Sequence, residues 1–180
     1  MKRLNARPVL VLGLVLGLGC DGGAVQPPVT ESGKSVWNSS VNLLVAQNLG
    51  GGFTPQPPPG STCLVGAKKF TLTVATRKLD WVRCVGDGKT AYMETTGGRS
   101  LSEAEFKNLV PLLENLRVVK ANGSCIADAA MLTLSITTPL GSQDYVDDGF
   151  QCEVKDRPLI ERGALNQTLD RLDTFTVASM

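Results

Sequence analysis

The five cysteines are the residues of this 180-residue chain that are best suited to chemistry. They are Cys20, Cys63, Cys84, Cys125 and Cys152, and no two of them form a Cys-x-x-Cys pair. Zinc sites and redox centres usually contain such a pair, so the spacing favours structural disulfides. The chain has no histidine, which excludes histidine-based catalytic triads and imidazole metal ligands. We therefore expect neither a metal site nor a cofactor.

The acidic residues are the second group that could act in chemistry. Asp144, Asp147 and Asp148 carry oxygen ligands of the kind that calcium prefers, but their spacing is not that of a calcium-binding loop. We interpret them as solvated turn acids. Glu103 and Glu105 fit the start of a helix, where negative charge is favourable. No acidic residue lies in an apolar segment that would raise its pKa for acid–base hydrolysis, so we predict that the protein is not an enzyme.

The N-terminal stretch VLVLGLVLGLGC, residues 9–20, follows a basic start that contains Lys2, Arg3 and Arg7. Its apolar run of about ten residues is much shorter than the roughly 20 that a membrane-spanning helix needs. A basic region, a short apolar region and a small-residue cleavage site are together typical of an export signal. Because a cysteine follows Leu18 and Gly19 directly, the stretch resembles the signal peptide of bacterial lipoproteins.

This resemblance covers residues 1–20 and implies cleavage before Cys20. The cysteine sulfur would carry diacylglycerol and the new N-terminus an acyl chain such as palmitate, which together suffice for a stable membrane anchor. Gly17 departs from the pattern, because a leucine is usual at its position. Asp21 is similar to the signal that keeps lipoproteins of enteric bacteria at the inner membrane, but other bacteria do not follow that rule, so the leaflet stays open. The alternative is an ordinary secretory signal that is cut after Ala24.

The charge of the mature chain indicates its class of partner. Removal of residues 1–19 takes away three basic and no acidic side chains, which leaves 15 basic and 17 acidic ones, a net charge of −2. No basic run remains, so a nucleic-acid partner is not expected. We expect attachment to a membrane through lipid on Cys20, and an envelope protein or cell-wall component as partner. These features leave the oligomeric state undetermined.

The mature chain is predicted to have a tether and one domain. Residues 20–60 read as a lipidated tether and a Gly/Pro-rich linker, in which 50–60 cannot form regular structure. Within this segment the apolar spacing of 36–48 favours one or two helical turns that dock on the domain. Residues 61–180 form the domain, which is large enough for a single core.

Two halves with the same order of elements are expected in the domain. In the first half, alternating apolar residues predict strands over 70–74, 79–84 and 90–95. A helix follows, because Ser102 and Glu105 form a capping box. In the second half, strands over 132–136 and 143–147 precede a helix over 164–175.

The predicted fold is α+β, with an antiparallel sheet of about five strands and two helices on one face. Each half reads as cysteine, hairpin, cysteine, helix, which is a possible ββα-like internal repeat. Folding the second hairpin at Leu140 brings Cys125 near Cys152, and the same reasoning pairs Cys63 with Cys84. The outer face of the sheet is expected to carry Thr71, Thr73, Thr133, Ser135 and Thr137.

Two functions remain open. The first is a non-catalytic envelope lipoprotein that binds a partner or has a structural role. The second is a secreted or surface inhibitor of exported hydrolases, which would use the loop 50–60. A recognition patch of Trp81 and Tyr92 is a further candidate, although aromatic residues on strands more often belong to the core. The threonine-rich face is either a binding surface or simply the hydrated side of a sheet.

Overall fold

The structure is a computed structural model that describes residues 25–51, 57–87, 89–154 and 156–177. The predicted signal and Cys20 lie outside these residues. The described chain forms an α+β fold with one sheet of eight strands and two helices. The strands are β1 (Leu43–Asn48), β2 (Lys68–Thr73), β3 (Lys78–Val85), β4 (Met93–Ser100), β5 (Val118–Val119), β6 (Leu132–Thr138), β7 (Gly141–Asp147) and β8 (Leu159–Ile160), and the helices are α1 (Glu103–Glu114) and α2 (Arg162–Val177).

The sheet is larger than the predicted five strands, and it is mixed rather than antiparallel. Its strand order is β4-β3-β2-β1-β6-β7-β8-β5. Every neighbouring pair is antiparallel except β7 and β8, which run parallel. The additional strands include β5 and β8, which have two residues each. Such short segments carry no periodic signal in the sequence.

The prediction of helical turns over 36–48 is wrong, because this segment contains β1. Leu44 and Ala46 are fully buried, while Val45 between them lies on the other face of the sheet. The strand pairs with β2 on one side and β6 on the other. Because Val45 is apolar as well, the run LLVA of β1 lacks the alternation of apolar and polar residues that identifies a half-buried strand.

The folded region consequently begins well before residue 61. Val36 and Val41 belong to the core, and the backbone N–H of Gly33 donates to the carbonyl of Val118 at 2.7 Å. The hydroxyl of Tyr145 donates to the carbonyl of Val29. Much of the segment that the sequence assigned to a tether is therefore held against the domain.

One hydrophobic core joins the sheet to both helices. From the sheet it contains alternate residues of the inner strands, and from the helices it contains Leu109 and Leu113 of α1 and Leu165, Leu169 and Leu172 of α2. The alternation in β6 is complete, because Leu132, Leu134 and Ile136 are buried and the residues between them are partly exposed. We call this covered side of the sheet the helix face.

The start of α1 agrees with the prediction in detail. The Ser102 hydroxyl accepts a hydrogen bond from the backbone N–H of Glu105, and the Glu105 carboxylate accepts one from the backbone N–H of Ser102 at 2.8 Å. This capping box satisfies backbone donors that the first helical turn leaves without partners. Pro111 lies inside the helix.

The two halves have a similar order of elements around β1. A hairpin (β2–β3) and a third strand (β4), which α1 follows in the chain, lie on one side of β1 in the sheet order. A hairpin (β6–β7) and a third strand (β8), which α2 follows, lie on the other. The halves differ at the third strand, because β4 is antiparallel to β3 whereas β8 is parallel to β7.

Candidate binding surface

Two disulfides hold the loops at one end of each hairpin. Cys63 is bonded to Cys84 with 5.8 Å between their Cα atoms, and Cys125 is bonded to Cys152 with 6.0 Å. These are the pairs expected from the hairpins. The first bond fixes the 61–67 loop to β3, and the second fixes the exposed loop before β6 to the segment after β7. Neither pair leaves a thiol for redox or metal chemistry.

Asp147 is not a solvated turn acid, because its side chain is completely buried. Its carboxylate accepts hydrogen bonds from the backbone N–H groups of Leu132 at 2.7 Å and Gly149 at 3.0 Å. It also accepts one from the guanidinium of Arg162 at 2.8 Å. The same guanidinium donates to the carbonyl of Ala130 at 2.9 Å. The carboxylate therefore connects β6, β7 and the first residue of α2.

The other two acids of this group have separate partners. Asp148 accepts a hydrogen bond from the backbone N–H of Arg162 at 2.9 Å and so caps α2. Asp144 lies on the opposite face of β7 from Asp147, and its carboxylate accepts a hydrogen bond from the Ser135 hydroxyl. The three acids thus form no common site. Among the described residues, no group of three His, Cys, Asp or Glu side chains could hold a metal ion.

Among the residues that the structure describes, hydrogen bonding and burial shift the pKa of three groups. The backbone N–H of Ser102 and the guanidinium of Arg99 hold the pKa of Glu105 below its usual value. The backbone N–H groups of Thr90 and Lys89 lower the pKa of Asp87 in the turn after β3. Burial raises the pKa of Tyr145 to about 12. Each group has a structural explanation in a cap, a turn or the core.

The side of the sheet opposite the helices is the best candidate for a functional surface. We call it the open face and define it by one row across five strands: Asp80, Thr71, Val45, Ser135 and Asp144, which are consecutive cross-strand partners. The predicted set of five threonine and serine side chains lies on this face, and all five are partly exposed. No helix or strand of the described chain packs on it.

Two adjoining depressions lie on the open face over β2 and β3. One has a volume of about 310 Å³ and extends from Gln47 past the Cys63–Cys84 disulfide to Glu94. The other, of about 400 Å³, is lined by Thr71, Asp80 and Thr96. Lys69 and Val82 line both depressions, so the two form one continuous shallow surface.

Polar and charged groups of both signs line this surface, and apolar atoms form much of its floor. Lys69 is exposed, and Lys78 forms an ion pair with Asp80 at 3.0 Å. Val82 contributes an apolar patch beside the disulfide. Mixed charge over an open, shallow area is typical of contacts with proteins or glycans rather than of an enclosed small-molecule site. The sequence indicated this face through the threonines but gave no sign that Lys69, Asp80 and Glu94 converge on it.

Trp81 and Tyr92 do not form a common patch. Trp81 lies on the helix face of β3, where it packs against the core and lies over the backbone of Gly97 in β4. Tyr92 lies next to Gly86, on the other side of the sheet. Both glycines leave room for an aromatic ring, which explains why no larger residue occurs there.

None of the helices in the described ranges is long and apolar enough to cross a membrane. Comparison of the chain with protein-family models, with curated proteins and with solved structures found no match. The structure itself defines the class: a disulfide-linked α+β domain with helices on one face of a sheet and an open, polar opposite face.

Proposed function

We propose that the protein is a membrane-anchored bacterial envelope lipoprotein whose domain has a non-catalytic, binding role. The cysteines carry this proposal. Four of the five are paired with each other, and the fifth, Cys20, follows the apolar stretch at the position where lipoproteins are acylated. Disulfides of this kind persist in exported proteins rather than in the cytosol. One hypothesis thus accounts for the signal, the pairing and the odd number of cysteines.

The open face is the surface that we assign to the partner. It joins charged groups of both signs to an apolar floor, and its shape is fixed by the Cys63–Cys84 disulfide beside it. A surface held rigid in this way loses little conformational freedom on binding. An envelope protein or a cell-wall glycan is a suitable partner, since either presents a broad polar surface.

The anchor is tested by the intact mass of the protein from the membrane fraction of a bacterial host. We expect a mass that fits cleavage before Cys20 plus three acyl chains, and four cysteines that react with an alkylating agent only after reduction. The Cys20→Ala variant should lose the acyl mass and leave the membrane fraction. A wild-type protein without lipid that begins near Val25 would show that the chain is freely secreted.

The binding surface is tested by chemical cross-linking in the envelope with a matched pair of variants. Thr71→Arg places a long, charged side chain in the middle of the open face, and Thr174→Arg places the same side chain on the exposed surface of α2. We expect Thr71→Arg to abolish the cross-linked species or the sedimentation with purified cell wall, and Thr174→Arg to retain both. Equal behaviour of the two variants would rule out the open face.

An inhibitor of exported hydrolases is the second candidate, and the fixed ends of the loop 50–60 favour it. The stems of this loop are fixed: the backbone N–H of Gly50 donates to the Asn48 side chain at 2.8 Å, and the Ser61 hydroxyl donates to the Pro58 carbonyl at 2.7 Å. The Cys63–Cys84 disulfide lies two residues beyond. Incubation with secreted proteases and lysozymes should reveal stoichiometric inhibition if this candidate is correct.

A further inference from the structure

β4 forms a long sheet edge that no strand of the described residues covers. Natural sheet edges are usually short, covered, bulged, or marked by lysine or proline, because a free edge pairs with other chains. The opposite edge follows this rule: β5 has two residues, and Ser35 forms a bridge with Arg117 next to it. β4 has eight residues, METTGGRS, without lysine or proline. Within the described chain, no strand pairs with its outer side.

The structure shows which backbone groups of β4 face outward. The N–H of Leu101 donates to the carbonyl of Arg77 at 2.8 Å, so the odd-numbered residues face β3. At Tyr92, an even-numbered residue, the N–H donates to the Ser61 hydroxyl and the carbonyl accepts from the N–H of Thr62, both at 2.9 Å. The 61–62 loop thus covers the edge at residue 92. Residues 94, 96, 98 and 100 present the remaining outward groups, and we call 94–100 the free edge.

Gly97 is the middle residue of the free edge. If two copies pair along the full length of this edge in antiparallel orientation, the two-fold axis of the pair passes through Gly97. We propose that the free edge pairs antiparallel with the free edge of a second copy of this chain, with Gly97 on the axis. Thr96 then lies opposite the partner's Gly98, and Glu94 lies opposite the partner's Ser100. Every outward N–H and C=O group of the free edge gains a partner in this register. A shift of the axis by one residue leaves some of them unpaired.

Charge complementarity supports the same register. Lys78 is the cross-strand neighbour of Ser100, so Glu94 of one copy and Lys78 of the other flank a small serine on the open face. The Lys78 ammonium, which also pairs with Asp80 of its own chain at 3.0 Å, has further donors for the Glu94 carboxylate. Symmetry produces this pair twice. With the axis at Thr96 instead, Glu94 would lie opposite the partner's Gly98, beside the partner's Asp80, and two carboxylates would face each other. The two positions are two strand spacings apart, about 10 Å between backbones, a distance that the long glutamate and lysine side chains span. At this range opposite charges favour pairing and like charges oppose it.

The first test is the oligomeric state of the chain from residue 21 onward, which retains both disulfides and the whole described core. Sedimentation velocity should show a dimer that dissociates on dilution. Thr96→Pro removes an outward N–H and no bond to β3, so it should weaken the dimer at least tenfold. Thr96→Val keeps the N–H and should remain dimeric. A wild-type chain that is monomeric at about 1 mM would overturn the proposal, as would a dimer that persists in a folded Thr96→Pro variant.

The second test determines the register and does not depend on the proline variant. Glu94→Lys and Lys78→Glu each convert both inter-copy pairs into repulsive ones, so each variant alone should dimerise about tenfold more weakly. An equal mixture of the two should dimerise nearly as well as wild type, because both pairs in the mixed dimer are again attractive. Absence of this rescue would overturn the proposed register. Binding of an extended peptide to monomers would assign the edge to another protein and contradict self-pairing.

Discussion

At the scale of single residues, the buried carboxylate of Asp147 is the feature with the largest expected effect on stability. It lies between the backbone N–H groups of Leu132 and Gly149 and the guanidinium of Arg162. The Arg162 guanidinium also lies over the ring of Phe150, 5.8 Å from its centre. Removing one member of a buried charge pair leaves the other without compensation, which is more costly than the pair is favourable.

We therefore predict that Asp147→Asn lowers the free energy of unfolding by about 3 kcal/mol. The amide keeps the size of the carboxylate but loses its charge. One of its two acceptors becomes a donor, which then faces either the backbone N–H of Leu132 or the Arg162 guanidinium. Urea unfolding followed by circular dichroism measures the change. Asp144→Asn is the control, because Asp144 is exposed, and its effect should be within about 0.5 kcal/mol. Equal unfolding midpoints for the two variants would contradict this role of Asp147.

The sequence could not distinguish these two aspartates. Three acids within five residues resemble a solvated turn. The alternation of a strand places Asp144 and Asp147 on opposite faces, but it does not show that Asp147 is buried. The decisive partner, Arg162, is 15 residues further along the chain, and no local spacing connects it to Asp147. Interactions between distant segments of this kind appear only when the fold is known.

At the scale of elements, predictions succeeded where the signal was local. The capping box of α1 lies within four residues, so Ser102 and Glu105 identified the helix start from sequence alone. The hairpin strands β6 and β7 were visible through alternation over a short distance. β4 was expected over 90–95 but spans 93–100, because Thr62 and Ser61 pair with Tyr92 and the strand begins only after it.

The error at β1 has a different physical origin. Trp37, Val41, Leu44 and Val45 are spaced as on a helix, but Val45 lies on the open face of β1, opposite to the buried Leu44. Its cross-strand neighbours Thr71 and Ser135 shield it on the open face. This apolar residue on the outer face removes the alternation that identified β6. For the candidate site, alternation alone identified the open face, whereas the depressions depend on the sheet order and could not be predicted.

At the scale of the whole molecule, the central position of β1 makes the two halves one cooperative unit. Strands from both halves pair with it, and residues from both halves share one core. Both tryptophans, Trp37 and Trp81, precede residue 100. Trp81 belongs to β3, and the Trp37 ring lies 6.4 Å from the ring of Phe106 in α1. Tryptophan fluorescence therefore reports unfolding of the first half, while far-ultraviolet circular dichroism reports the whole domain.

This arrangement predicts that loss of the disulfide in the second half is detected in the first. Cys125 and Cys152 are 27 residues apart, and a bond that closes a loop of this size contributes roughly 3 kcal/mol by restricting the unfolded chain. In the double variant Cys125→Ala/Cys152→Ala, the urea midpoint measured by tryptophan fluorescence should fall together with the midpoint measured by circular dichroism. The matched variant Cys63→Ala/Cys84→Ala, with a separation of 21 residues, should behave in the same way. If the fluorescence midpoint stays unchanged while circular dichroism shows an earlier transition, the halves unfold independently and β1 does not couple them.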